Sequence, residues 1–149
     1  MTIAPASLMA EEVHYALEPD LSADQFIAVL EASTLAARRP VGERARVERM
    51  LRHANIIVTA RAGGAGPVGR LIGVSRALAD FGFCCYLSDL AVDRAWQRCG
   101  IGRVLIDRTW DAAGHETTLI LLSAPAAVDY YPHIGMRRHE HCYVYDRER

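Results

Sequence analysis

Two glycine-rich segments are the first places in this 149-residue chain where the backbone itself could do chemistry. Gly64-Ala65-Gly66-Pro67-Val68-Gly69 spells the G-x-G-x-x-G of a dinucleotide fold. That pattern works only where a helix follows, because the helix start turns free amides and a positive dipole end toward pyrophosphate. Here Arg70 to Leu78 reads as a strand, so a hairpin loop is expected instead. Gln97-Arg98-Cys99-Gly100-Ile101-Gly102 is shorter but better placed, between an apolar strand ending at Val92 and a helix beginning near Ile101. Without Cβ atoms, Gly100 and Gly102 let an anionic oxygen approach the main chain. Successive amides of the loop, with the first unpaired amides of the helix, form an anion cradle. Arg98 and Arg103 add positive charge, while Leu105 stands where a dinucleotide loop would place its third glycine. The segment reads as a phosphate cradle; the alternative is a strand–helix turn without a ligand.

Cysteine, histidine and lysine narrow the chemistry further. Cys99 sits at the helix start, where a thiolate has a lowered pKa and could be acylated; no histidine lies beside it in sequence. His139, His141 and Cys142 could begin a zinc site, but there is no C-x-x-C and no second ligand pair, so no metal is expected. All 17 basic residues are Arg, which excludes a Walker lysine, a Schiff-base lysine and a lysine base.

The elements that must position these groups read as one mixed α and β domain spanning residues 1–149. Val13 to Leu17 is a strand closed by Glu18-Pro19-Asp20, and Ser22 with Gln25 makes a capping box for a helix carrying Phe26, Ile27, Val29 and Leu30. A second helix, Glu43 to His53, turns Val47, Met50 and Leu51 inward. Its Arg44, Arg46, Arg49 and Arg52 form either a solvated face or a rim for an anionic acceptor. Ile56 to Ala60, Arg70 to Leu78 and Phe83 to Val92 form two successive hairpins. A helix from Ile101 to Ala113, a buried strand from Thr118 to Ser123, and a short helix from Ala126 to Tyr131 cut by Pro132 follow. Met136 to Asp146 reads as a pair of extended segments.

Composition sets the outer bounds. The net charge of -1 argues against a dedicated nucleic-acid binder, and no apolar run approaches the ~20 residues that span a bilayer. The opening MTIAPASLMAEEVHY lacks a basic n-region and an apolar h-region, so no leader is expected and a cytoplasmic location follows. Four cysteines without such a leader suit a reducing compartment.

Leu90-Ala91-Val92-Asp93-Arg94-Ala95-Trp96-Gln97-Arg98-Cys99-Gly100-Ile101-Gly102-Arg103-Val104-Leu105 resembles motif A of the GNAT superfamily of N-acetyltransferases, with its Q/R-x-x-G-x-G/A core. Ala127-Val128-Asp129-Tyr130-Tyr131-Pro132-His133-Ile134-Gly135-Met136 is similar to the family's A-x-x-f-Y-x-x-x-G-F segment, and the likeness covers nearly the whole chain. It implies a mixed, mostly antiparallel sheet with a V-shaped split between two central strands and about four flanking helices. It implies acetyl-CoA as co-substrate, its pyrophosphate on the amides of Arg98, Cys99, Gly100, Ile101, Gly102 and Arg103, and its pantetheine arm along the main chain of Leu90, Ala91 and Val92; Gln97 belongs to the same loop. Tyr131 matches the tyrosine that protonates the departing thiolate, with Tyr130 a weaker match.

Two departures from the family pattern matter. Leu119 to Leu122 supply no carboxylate where many relatives place a glutamate base; Asp89 on the other strand is either a candidate base or a structurally paired or turn-facing residue, and a water chain could remove the proton instead. Ala124-Pro125 replaces the asparagine that often holds pantetheine. The function implied is direct transfer of acetyl to a small-molecule or peptide amine, at an acceptor site roofed by the two N-terminal helices near Arg38 and Arg39, with Arg76 and Asp80 opposite. A homodimer is compatible with this reading. The alternative is a non-catalytic acyl-CoA sensor or partner module.

Overall fold

The computed structural model describes residues 11–148; the N-terminal stretch on which the leader reading mainly rests lies outside the described residues. Five strands run β1 (Val13–Leu17), β2 (Ile56–Ala62), β3 (Arg70–Ala79), β4 (Cys84–Val92) and β5 (Thr118–Leu121). They lie side by side in that order, antiparallel until β5 joins β4 in parallel. The helices are α1 (Ala23–Ser33), α2 (Arg44–His53), α3 (Ile101–Ala113) and the single-turn α4 (Tyr130–His133).

Each face of the sheet buries its own core. Phe26, Val29 and Leu30 of α1 join Val47 and Leu51 of α2 over Ile57, Val74 and Ala91. On the opposite face Ile101, Leu105 and Ile106 of α3 cover Val58, Ala60, Ile72 and Leu87. Phe26, Leu30 and Leu105 have no exposed surface, and each such side chain contributes roughly 1.5–3 kcal/mol of burial. Ser22 caps α1 as its sequence suggests, accepting from the Gln25 amide at 3.2 Å. The capping box is left half made, because the Gln25 side chain turns away to accept from Arg61 at 2.6 Å. Arg61 is buried and also binds Glu18, so the amide is worth more there than at the helix start.

Three expectations are corrected. β5 is not buried: it is an edge strand with Ile120 46% exposed, and no strand pairs with its outer side among the described residues. Met136 to Asp146 does not form a strand pair; Met136 packs against the core, but Tyr143 and Tyr145 are fully in solvent. Pro132 does not stop the short helix but lies inside α4, within a first turn where its missing N–H costs no helical bond. The stop comes at Gly135, with φ +94°. The Gly64–Gly69 segment leads directly into β3, as a hairpin loop should. A Cβ on Gly69 would lie 1.8 Å from the Gly64 carbonyl oxygen, so that glycine serves the loop's own close packing.

Candidate active site

The split between β4 and β5 arises from their unequal lengths. The strands pair only from Cys84–Thr118 to Leu87–Leu121. β4 then continues alone to Val92 while the other chain departs through Leu122 and Ala124, which leaves one edge of Ser88 to Val92 without a strand partner. A cleft of about 510 Å³ fills the gap, within the range of small-molecule sites. Leu90, Ala91 and Val92 line one wall, Leu121, Leu122 and Ala124 to Ala127 the other, and Tyr131 faces in.

A bulge decides which side chains reach this cleft. Arg76 on β3 faces Asp89 and the next residue, Ala77, faces Leu87, so Ser88 is an extra residue in β4. An extra residue reverses the facing of everything beyond it. Cys85 and Leu87 pack under α3, whereas Ala91 packs under α1 and α2.

Asp89 is thereby delivered to the α1/α2 face with no exposed surface, and one carboxylate oxygen pairs with Arg39 Nε and the other with Arg76 Nε. Arg39 also donates to the Arg38 carbonyl at 2.9 Å and the Ser88 carbonyl at 2.8 Å. Arg76 donates to Ser88 Oγ at 3.0 Å and the Met50 carbonyl at 3.3 Å. Ser88 and Leu90 line the cleft but Asp89 does not. Of the two roles its sequence position allows, the geometry gives Asp89 the paired one, between two guanidinium groups and off the cleft wall. Among the described residues no Asp or Glu side chain lines the cleft.

At the Val92 end the chain enters the glycine loop. Asp93 accepts from the Ala95 amide at 2.9 Å, Trp96 is buried, and Gln97 donates through its side chain to the Val92 carbonyl at 3.0 Å. These contacts hold the loop to the strand end. Arg98 adopts φ +66° and Gly100 φ +81°; a non-glycine residue in that region is strained and persists where its surroundings impose it. No group among the described residues accepts from the amides of Arg98 through Arg103, and the first helical bond of α3 is Val104 to the Gly100 carbonyl at 3.2 Å. Six consecutive donors are thus left open around a helix start. Arg98, Cys99, Gly100 and Arg103 are exposed, and within the loop only Gln97 reaches the cleft wall.

The two tyrosines divide the site. Tyr131 faces the cleft, and burial, with the Tyr130 hydroxyl beside it, pushes its pKa above the ordinary value of 10.0. Tyr130 stacks edge-on to it at 5.3 Å, and its hydroxyl lies over Gly102, 3.0 Å from where a Cβ would be. Only its adjacency to Tyr131 hinted at this position in the sequence.

Elsewhere the candidates are dispersed. Cys99 is exposed, its thiol 3.7 Å from the Gln97 carbonyl and off the cleft wall. The His141 amide donates to His139 Nδ1 at 3.1 Å. Among the described residues no group of three or more His, Cys, Asp or Glu could hold a metal ion. Asp80 accepts from the amides of Gly82, Phe83 and Cys84, which hold its carboxyl far below the usual range and make it a turn former. Arg44 pairs with Asp24 and Glu48, and Arg46 with Glu43, on the surface of α2 away from the cleft wall.

A split sheet with an open strand edge and an amide cradle at one end is the architecture of an acetyltransferase. The chain belongs to the GNAT family: the family model for the acetyltransferase (GNAT) domain matches residues 29–146. Solved structures of similar fold include a Trypanosoma brucei acetyltransferase, 23% identical at a TM-score of 0.61, covering 91% of this chain and 99% of that one. A GNAT-family acetyltransferase of Streptococcus pneumoniae TIGR4 is 19% identical at a TM-score of 0.63, covering 85% and 88%. Aminoglycoside N-acetyltransferase AAC(6')-Iy, in complex with CoA, is 14% identical at a TM-score of 0.69, covering 93% and 97%. No curated protein matches the chain in sequence. No helix among the described residues is long and apolar enough to cross a membrane.

Proposed function

We propose that the chain moves the acetyl group of acetyl-CoA to an acceptor amine by direct attack, with both reactants held in the cleft. The observation that carries this reading is the run of open amides from Arg98 to Arg103 beside the unpaired edge of β4. The two fit the two ends of one ligand. Six amides, with the guanidinium groups of Arg98 and Arg103, suit a diphosphate; Leu90, Ala91 and Val92 suit an amide-bearing arm that adds as a strand would.

The bound thioester supplies an activated acyl group. The residues of the chain do the rest. The main chain of Leu90 to Val92 fixes the arm, and an amide of that edge stabilises the carbonyl oxygen as it gains charge. Tyr131, kept protonated by its burial, donates its hydroxyl proton to the departing sulfur. With both carboxylate oxygens of Asp89 paired to arginines, the amine enters as the free base and its proton leaves through water in the open cleft. Positioning alone can supply roughly 7–11 kcal/mol.

A panel of amines assayed for liberated thiol tests the proposal, with the protein's own four cysteines subtracted. Multiple turnovers with any amine are expected. That no carboxylate among the described residues lines the cleft favours the second reading, a binding module: CoA binding without turnover across the panel would establish it.

A further inference from the structure

We infer that the acceptor amine carries an anionic group, a carboxylate or a phosphate, which Arg38 holds at the far end of the cleft. This rests on the transferase reading above. Ser33, Thr34, Leu35, Arg38 and Arg39, from the end of α1 and the turn after it, roof the cleft against Leu87 and Ser88. The amide cradle begins beyond Val92, four residues further along β4, about 13 Å away at the rise of a strand. The two arginines therefore stand apart from the place where the donor's phosphates bind.

Their states differ. Arg39 spends its nitrogens on Asp89, the Arg38 carbonyl and the Ser88 carbonyl. Arg38 has its backbone clamped by that second bond, but among the described residues nothing pairs with its exposed guanidinium. Arg39 and Arg76 share the one carboxylate of Asp89, which lies off the cleft wall, and among the described residues no Asp or Glu side chain lines the cleft to offset Arg38. The roof thus has surplus positive charge and a rigidly based free fork, the geometry that binds planar anions in a bidentate manner. A polycationic acceptor would meet the same field as repulsion.

Acetyl-CoA with the full-length protein and matched acceptors tests this. The probes are free amino acids, their carboxamides, phosphoethanolamine and an aminoglycoside. At least one carboxylate or phosphate amine should show kcat/KM tenfold or more above its uncharged counterpart. The difference should lie in KM, and Arg38→Gln should bring the ratio toward one while the Kd for acetyl-CoA holds. Arg38→Glu should move the preference to cationic amines, a reversal that a merely structural role could not produce. Equal use of acids and amides, preference for the aminoglycoside, or a ratio that survives Arg38→Gln overturns the inference and leaves the transferase standing. Absence of turnover with every amine removes both.

Discussion

Replacing Asp89 separates an anchor from a base. Its carboxylate has no exposed surface and pairs with Arg76, whose side chain is 7% exposed, and Arg39, at 22%. Asp89→Asn keeps the shape but withdraws the one carboxylate that, among the described residues, pairs with these two largely buried cations. Removing one partner of a buried pair costs about 3–5 kcal/mol, a large share of the roughly 5–15 kcal/mol that holds a domain together. At about 2–4 °C per kcal/mol for a chain of this size, the melting temperature should fall by roughly 6–20 °C. Because Arg39 also fixes the roof, the KM for the acceptor should rise more than kcat falls. The triple variant Asp89→Leu/Arg76→Met/Arg39→Met should recover much of the stability, since a buried ion-pair cluster exchanged whole for apolar groups is often neutral. Calorimetry and a pH profile of kcat are the assays. An Asp89→Asn protein that melts with the wild type, yet loses about 100-fold or more in kcat along with the acidic limb of its profile, would refute the anchor.

Tyr131→Phe should lower kcat by ~10²–10⁴ with little change in the KM for acetyl-CoA; since burial raises the hydroxyl's pKa, the wild-type loss attributable to its ionisation should appear only above pH 10. Gly102→Asp should abolish acetyl-CoA binding in calorimetric titration, because it sets a carboxylate among the open amides and pushes on the Tyr130 hydroxyl; unchanged affinity would put the diphosphate elsewhere. Glu18 tests acid stability. Burial pushes its carboxyl up, but hydrogen bonds from Arg61 and Thr59 outweigh that and hold it below 4.5. The stability it contributes is complete above the unfolded value and lost as pH falls through the folded one. Glu18→Gln should therefore flatten the acid side of a stability curve, and a parallel curve would count against the Arg61 contact.

The parts of the site that depend on chain order were legible in the sequence, and those that depend on register were not. Glycines between an apolar strand and a helical run announce an amide cradle, because the cradle is made by the same residues that spell it. Period-two reading of β4, by contrast, puts Cys85, Leu87, Asp89 and Ala91 on one face, and Ser88 breaks that pattern without any signature of composition. The extra residue sends Asp89 toward arginines from two different elements, partners that chain order alone does not name. The same limit governs Gln25, whose cap was correct in spacing but whose side chain is drawn off by Arg61, 36 residues away. It also governs the C-terminal segment, where β-favouring Tyr143, Val144 and Tyr145 remain solvated because strand propensity needs a neighbour to act on. Arg38 follows from this logic. Its position in the chain puts it with Arg39 at the acceptor roof, but only the fold separates the paired Arg39 from the open Arg38. A reading of its role can therefore come only from the folded charge balance of the cleft.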